Sequence, residues 1–330
     1  MKSKIRELVK NYIHDNDLYG LPKKTIARDF VRSHPHIGCS VESIRIHVRR
    51  ILGEEPNEAL SESVKIGQQF YIPESFKKTR ERVDLPEGKW AILNDIHLPY
   101  HDEEALLVAL EYAKKKKVNG ILLNGDLADF YSISSHAKKW DGASLIDEIE
   151  SVRDFLIGLR HSFGPDVRII WKLGNHENRL FRDLNKNAPY IAGLLEMNFG
   201  PNMAIEHFFG ADIANVKVIH DQTLINANGL LILHGHEYGV GGVNPSRKMA
   251  VELKTSAIQG HLHRSESYNT MRADGQHILC AVMGCLCTLQ ADYYGKSELM
   301  WSHGFGMITL KNGGWQFENK LIIKGRVYDN

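Results

Sequence analysis

With 330 residues, of which 43% are hydrophobic and 25% charged, the chain can bury one sizeable core and leave room for a small second domain. No run reaches the roughly eighteen uncharged apolar residues of a membrane span, and a start carrying Lys2, Lys4, Arg6 and Glu7 does not read as a signal peptide. Both features exclude a membrane protein and predict a cytoplasmic one. The net charge of +1 is unevenly placed: residues 1–52 hold 11 Lys and Arg against 5 Asp and Glu, and the remainder holds 30 against 35. A basic front end therefore precedes an acidic body, and the two are expected to do different things.

In the front end, Ile5, Leu8, Val9, Tyr12 and Ile13 recur at helical spacing. Gly20-Leu21-Pro22 breaks that helix, and Pro22 can open a second one carrying Ile26, Ala27, Phe30 and Val31. After a turn at His34-Pro35-His36-Ile37-Gly38, Ser40 caps a third helix with Val41, Ile44, Val48 and Ile51 on its apolar side. Arg45, Arg49 and Arg50 lie on its other faces. Three short helices with a basic third one look like a helix-turn-helix domain over residues 1–52, its third helix entering a nucleic-acid groove through those arginines. The competing reading is a helical bundle whose basic surface docks on the acidic body.

Residues 53–88 read as a linker. Glu54-Glu55-Pro56-Asn57-Glu58 is acidic and broken by proline, Phe70-Tyr71-Ile72-Pro73 is a candidate short strand, and Lys77-Lys78-Thr79-Arg80-Glu81-Arg82 is a solvated charge run. From Lys89 to residue 330, strands and helices alternate. Strands are expected at Trp90–Leu93, Ile121–Asn124 and Val167–Leu173, and helices at Glu103–Lys117 and Leu145–Arg160. Residues 178–213 carry helix signals and form an expected insertion leaning over the site. The later chain turns to β at Val216–Ile219, Leu224–Asn226, Leu230–Leu233 and His277–Val282, with a terminal hairpin around Asn312-Gly313-Gly314. The expected architecture is α/β, with two sheets face to face and helices outside. Cys39, Cys280, Cys285 and Cys287 form no paired framework and read as buried, reduced cysteines.

Five strand ends carry metal-donor residues. Asp95 and His97 follow the first strand of the body, Asp126 follows Asn124-Gly125, and Asn175 and His176 follow Gly174. His234 follows Leu233, and His261 and His263 sit in Gly-His-Leu-His. The C-terminal lip of a sheet is where α/β domains build sites, so one centre assembled from all five turns is expected. Carboxylates with imidazoles suit manganese, iron or zinc better than calcium, with nickel and magnesium as further options. The two oxygens of Asp126 can bridge two ions about 3.5–4 Å apart, an arrangement that clamps a phosphate and acidifies water. His176 is placed to protonate a leaving group as general acid.

Taken in order, Asp-x-His, Gly-Asp-x-x-Asp, Gly-Asn-His-Glu, His-Gly and Gly-His-x-His resemble the calcineurin-like metallophosphoesterases over roughly residues 89–310. The resemblance implies a two-sheet αββα sandwich. It also implies a first divalent ion held by Asp95, His97, Asp126 and His263, and a second held by Asp126, Asn175, His234 and His261, with His176 catalytic. Asp129 matches a position that usually supports a ligand, and the role of His236 is open. Phosphoprotein phosphatases of the superfamily carry Asp-Arg-Gly where this chain has Asp129-Phe130-Tyr131, so the match is closer to the repair-nuclease and phosphodiesterase branches. Arg179, three residues after His176, could supply the phosphate contact. A basic three-helix front end on such a core also looks like proteins encoded by bacteriophages.

The expected function is a two-metal hydrolase of phosphoesters, a phosphodiesterase or nuclease on nucleic acid, with manganese the leading metal. The alternatives are a phosphatase or phosphodiesterase of a small nucleotide or phosphoprotein, and a DNA-binding regulator with an inactive metal core. Oligomeric state is not legible.

Overall fold

The computed structural model describes residues 2–52, 80–134, 142–289 and 300–329. The chain divides into two compact units, Met1–Lys77 and Lys78–Asn330. In the first, α1 (Lys2–Asp15), α2 (Lys23–Ser33) and α3 (Val41–Ile51) enclose Val9, Ile13, Ile26, Phe30, Ile44 and Val48, all at most 1% exposed. These are the apolar positions read at helical spacing. Pro22 and Ser40 are the N-caps of α2 and α3, and the Ser40 hydroxyl accepts the Ser43 N–H at 3.2 Å, satisfying one of the free donors at the helix start.

The second unit begins with β1 (Arg82–Asp84), β2 (Gly88–Leu93), α4 (Glu103–Lys115), β3 (Gly120–Asn124), α5 (Leu145–Phe163) and β4 (Arg168–Lys172). The helices α6 (Glu177–Asn187) and α7 (Pro189–Phe208) follow, then β5 (Lys217–Ile219), β6 (Leu224–Ala227), β7 (Leu230–Leu233), α8 (Pro245–Leu253) and β8 (Ala257–Gln259). The chain closes with β9 (Glu266–Met271), β10 (His277–Val282), β11 (Gly304–Lys311), β12 (Gly314–Ile323) and β13 (Arg326–Asp329). They build a six-stranded sheet, β1-β6-β7-β8-β10-β9, and a seven-stranded one, β13-β12-β11-β2-β3-β4-β5.

Alternation along each strand sorts the residues into layers. Trp90, Ile92, Leu122, Ile170 and Ile308 point from the larger sheet onto Ile225, Leu230, Ile232 and Ile258 of the smaller one. Ala91, Leu93, Ile121, Leu123 and Trp171 point the other way, onto Leu106 and Ala109 of α4 and Val152 and Leu156 of α5. Met249 and Ala250 of α8 cover the outer face of the smaller sheet through Ala257, Cys280 and Val282. This is the αββα sandwich expected from the sequence. The turn Asn312-Gly313 has φ of 54° and 73°, the two left-handed residues of a primed hairpin turn joining β11 to β12.

Some elements were not foreseen. The expected charge run leads into β1, which pairs in parallel with β6. Arg80, just before it, places its guanidinium 4.5 Å from the Tyr238 ring centroid. The candidate strand at Phe70–Pro73 lies outside the described residues. Helices α6 and α7 occupy the expected insertion. No helix among the described residues is long and apolar enough to cross a membrane.

Candidate metal centre

Strands β2, β3, β4 and β5 run parallel in one sheet, and β7 and β8 run parallel in the other, so their C-terminal ends open on the same side of the sandwich. Asp95 and His97 follow β2, Asp126 follows β3, and Asn175 and His176 follow β4. His234 follows β7, while His261 and His263 follow β8. Asp95, His97, Asp126, His261 and His263 all hold left-handed backbone, with φ between 53° and 67°. That conformation costs a residue with a Cβ free energy, and five cases at one lip mark a site held in place by its surroundings.

Two strand-end glycines make the turns possible. A Cβ on Gly125, whose φ is +88°, would lie 2.3 Å from His234 Nδ1, and one on Gly174 would lie 2.2 Å from Asp126 Oδ1. Neither position has room for a side chain.

The donors converge in two groups that share Asp126: Asp95, His97 and Asp126, all buried, and Asp126, His234 and the half-buried His261. Asp126 Oδ2 is ringed by imidazole Nε2 atoms, 3.3 Å from His234, 3.7 Å from His176 and 3.8 Å from His97. Its Oδ1 accepts the His176 N–H at 2.9 Å. Asp95 Oδ2 accepts from Asn94 at 2.6 Å and from the His261 N–H at 2.8 Å. Asp95 Oδ1 is buried without a hydrogen bond and faces His263 Nε2 at 3.4 Å.

The tautomers test whether these residues fit a cation. His234 Nδ1 donates to the Asn124 carbonyl at 2.8 Å, so a neutral His234 has a lone pair on Nε2. That lone pair faces Asn175 Oδ1 at 3.0 Å and Asp126 Oδ2 at 3.3 Å, both acceptors. Likewise His97 Nδ1 donates to Asp129 Oδ1 at 2.7 Å, and its Nε2 lies 3.2 Å from His263 Nε2. Acceptors pointed at one another need a positive charge between them. Mixed carboxylate, amide and imidazole donors fit a divalent transition metal.

The electrostatics agree. Burial opposes charge on His234, but Asp126, Asp95 and Glu237 override it and lift its pKa to about 10. Burial is likewise overridden at His263, where Cys285 and Asp95 hold the pKa near 9. Asp95 is held near 2 by His263 and His234 against its own burial. Burial and the neighbouring His234 push His261 the opposite way, to about 4. Positive charge is thus favoured at His234 and His263 but not at His261.

His176 and Arg179 flank the shared carboxylate. His176 Nδ1 donates to the Asp129 carbonyl at 2.7 Å, which leaves Nε2 to accept from Arg179 at 2.9 Å. A second guanidinium nitrogen of Arg179 donates to the same carbonyl at 3.2 Å. In the other unit, Arg50 is exposed while Arg45 and Arg49 are half-buried, with Arg45 bonded to Glu42 at 3.1 Å.

Four further residues take part that the sequence reading passed over. Glu177, 0% exposed, accepts the backbone N–H groups of Asp126, Leu127, Ala128 and Gly174 at 2.6–3.1 Å. Glu237 accepts those of His234 and Gly235 at 2.9 and 2.7 Å and pairs with the buried Lys172 at 3.0 Å. Asp221 accepts from His236, Asn178 and Gln222 at 2.8–3.1 Å. A signal existed: a glutamate closely follows a donor in both Asn175-His176-Glu177 and His234-Gly235-His236-Glu237, and a lysine inside an apolar strand implies a buried partner.

Comparison with known proteins finds similarity of differing strength. Gene 54 protein of Mycobacterium phage L5 is 26% identical over 250 residues, which cover 71% of this chain and 94% of that protein. Among solved structures, Vps29 of Entamoeba histolytica with zinc is 11% identical at a TM-score of 0.36, covering 73% of this chain and 97% of that one. A dimetal phosphatase from Danio rerio is 11% identical at 0.36, covering 74% and 98%. YfcE, a phosphoesterase from E. coli, is 12% identical at 0.34, covering 72% and 96%. The sequence profile of the calcineurin-like phosphoesterases matches residues 88–268, from β2 through β9, and the chain belongs to that family of metal-dependent phosphoester hydrolases.

Proposed function

We propose that the protein is a two-metal phosphodiesterase whose leading substrate is nucleic acid, with manganese as its metal. The carrying observation is the shared carboxylate: two donor groups meet at Asp126, whose Oδ2 faces three imidazole nitrogens. In this reading Asp95, His97, Asp126 and His263 would hold one ion, and Asp126, Asn175, His234 and His261 would hold the other. When bound, such a pair supplies Lewis acidity to the phosphoryl oxygens and acidifies a water.

The chain's own residues do the rest. Asp129 fixes the His97 ring through Nδ1, leaving the Nε2 lone pair free to ligate, and the Asn124 carbonyl does the same for His234. The Asp129 carbonyl holds Nδ1–H of His176, so that Nε2, once Arg179 has left it and it has taken up a proton from water, is the atom that gives that proton to the leaving oxygen. Arg179, bonded to that same Nε2, exchanges this contact for a phosphoryl oxygen when substrate enters.

The basic first unit supports nucleic acid as substrate, with Arg45, Arg49 and Arg50 of α3 reaching phosphates. A second reading, a phosphatase or phosphodiesterase of small nucleotides or phosphoproteins, draws on the pairing of Arg45 with Glu42. An exposed pair of that kind is worth at most about 1 kcal/mol and does not hold the arginine back from DNA. The phage relative supports a phage-encoded protein acting inside a host cell.

Linear duplex DNA, bis-p-nitrophenyl phosphate and p-nitrophenyl phosphate, each with and without manganese, separate the readings. Manganese-dependent cleavage of DNA and of the diester is expected. Cleavage of the monoester alone would overturn the phosphodiesterase assignment.

A further inference from the structure

A largely buried polar network built around one ion pair stands behind His234. Lys172, at the end of β4, is 0% exposed. Its Nζ lies 3.0 Å from Glu237 Oε1 and donates to the Asp221 backbone carbonyl at 2.5 Å. The Asp221 carboxylate accepts from His236 Nε2 at 3.1 Å, while His236 Nδ1, which has no hydrogen bond, faces Glu237 Oε2 at 3.8 Å. Glu237 in turn caps the N–H groups of His234 and Gly235. The network therefore ties the ends of β4 and β5, in the larger sheet, to the turn after β7 in the smaller one through Lys172. None of its four side chains belongs to either donor group at Asp126.

A buried ion pair is weak evidence of stability, because desolvation offsets most of the attraction. Its cost is better accounted for by orientation. His234 has to present Nε2 toward Asp126 from one sheet while Asp126 comes from the other. Without Glu237, two buried N–H groups of that turn would have no acceptor and the turn would relax.

We propose that Lys172, Asp221, His236 and Glu237 form an inter-sheet brace whose function is to set His234 for the second metal ion, which makes them positioning residues. The proposal rests on the two-metal reading above. It also gives His236, so close to a ligand candidate, a part in the brace.

Stepwise Mn²⁺ binding to the full chain by calorimetry, read beside thermal melting, tests it. Glu237→Gln turns an amide NH₂ toward one of the capped N–H groups, and should weaken the second ion by about 10–100-fold, as loss of an outer partner does. The first ion should bind as in wild type. The double variant Lys172→Met with Glu237→Met removes both buried charges together, so its melting temperature should fall less than that of Glu237→Met alone, which leaves Lys172 charged and unpaired. Its second ion should still bind weakly, because the caps are gone. Wild-type affinity for the second ion in either folded variant would overturn the brace. Wild-type protein that binds only one ion would instead overturn the two-metal reading, so the two failures are distinct.

Discussion

Changing Glu177 to glutamine replaces one oxygen by a nitrogen, yet it should cost the second unit about 2–6 kcal/mol. One carboxylate oxygen of Glu177 accepts Leu127 and Ala128, and the other accepts Asp126 and Gly174. Glutamine keeps one accepting oxygen and points NH₂ at the other pair, so two buried donors lose their acceptor. Each such loss costs about 1–3 kcal/mol, against about 5–15 kcal/mol for a whole domain. All five tryptophans lie beyond residue 89, so their fluorescence in a urea titration reads the Lys78–Asn330 unit alone. The expected result is a lower midpoint at an unchanged slope, with weaker metal binding because the Asp126 turn has loosened. A variant within about 0.5 kcal/mol of wild type, the range of an ordinary surface change, would refute the view that this carboxylate holds the turn.

Three further outcomes are expected. His176→Ala should retain its metals and lose about 10²–10⁴ in turnover, most on substrates with poor leaving groups; an equal loss on an activated nitrophenyl diester would remove its role as acid. Glu148 is buried against Ser132, and burial pushes its carboxyl from 4.5 up to about 7. Its contribution to stability is therefore complete below pH 4.5 and lost as pH rises through 7. Glu148→Gln should match wild type at pH 4 and exceed it at pH 8 by about 1–3 kcal/mol in urea unfolding. Arg45→Ala with Arg49→Ala in the full chain should weaken duplex DNA binding and flatten its salt dependence while leaving hydrolysis of a small diester unchanged. Fluorescence anisotropy at two salt concentrations measures this, and unaltered binding would remove α3 from the interface.

Most of the donor residues were legible because an apolar strand precedes them, whereas His261 and His263 stood out through Gly-His-Leu-His and not through β8. Leu230–Leu233 before His234 and Ile121–Leu123 before Asn124-Gly125-Asp126 place polar groups at a lip by periodicity alone. Their left-handed backbone was not legible, since φ at Asp95 or His263 is imposed by packing from other segments. Glu177 escaped because its four partners lie in two turns that only the folded sheet brings together. Lys172 was read as part of an apolar run, and its partner Glu237 lies 65 positions further along the sequence. Strand β9 pairs with β10 in register from Glu266 to Met271, but its edge position leaves Ser267, Asn269 and Thr270 without an apolar pattern to betray them.

The central claim is that Asp126 is shared by two ions that together carry hydrolysis. Metal-stripped wild type and Asp126→Ala, each titrated with Mn²⁺ and then assayed on bis-p-nitrophenyl phosphate, test it most directly. Wild type should take up about two ions per chain, as a two-metal centre requires, and become active as the second one binds. Asp126→Ala should hold neither ion tightly and stay inactive at every manganese concentration. Full activity in the reconstituted variant, or in wild type carrying a single ion, would contradict the account.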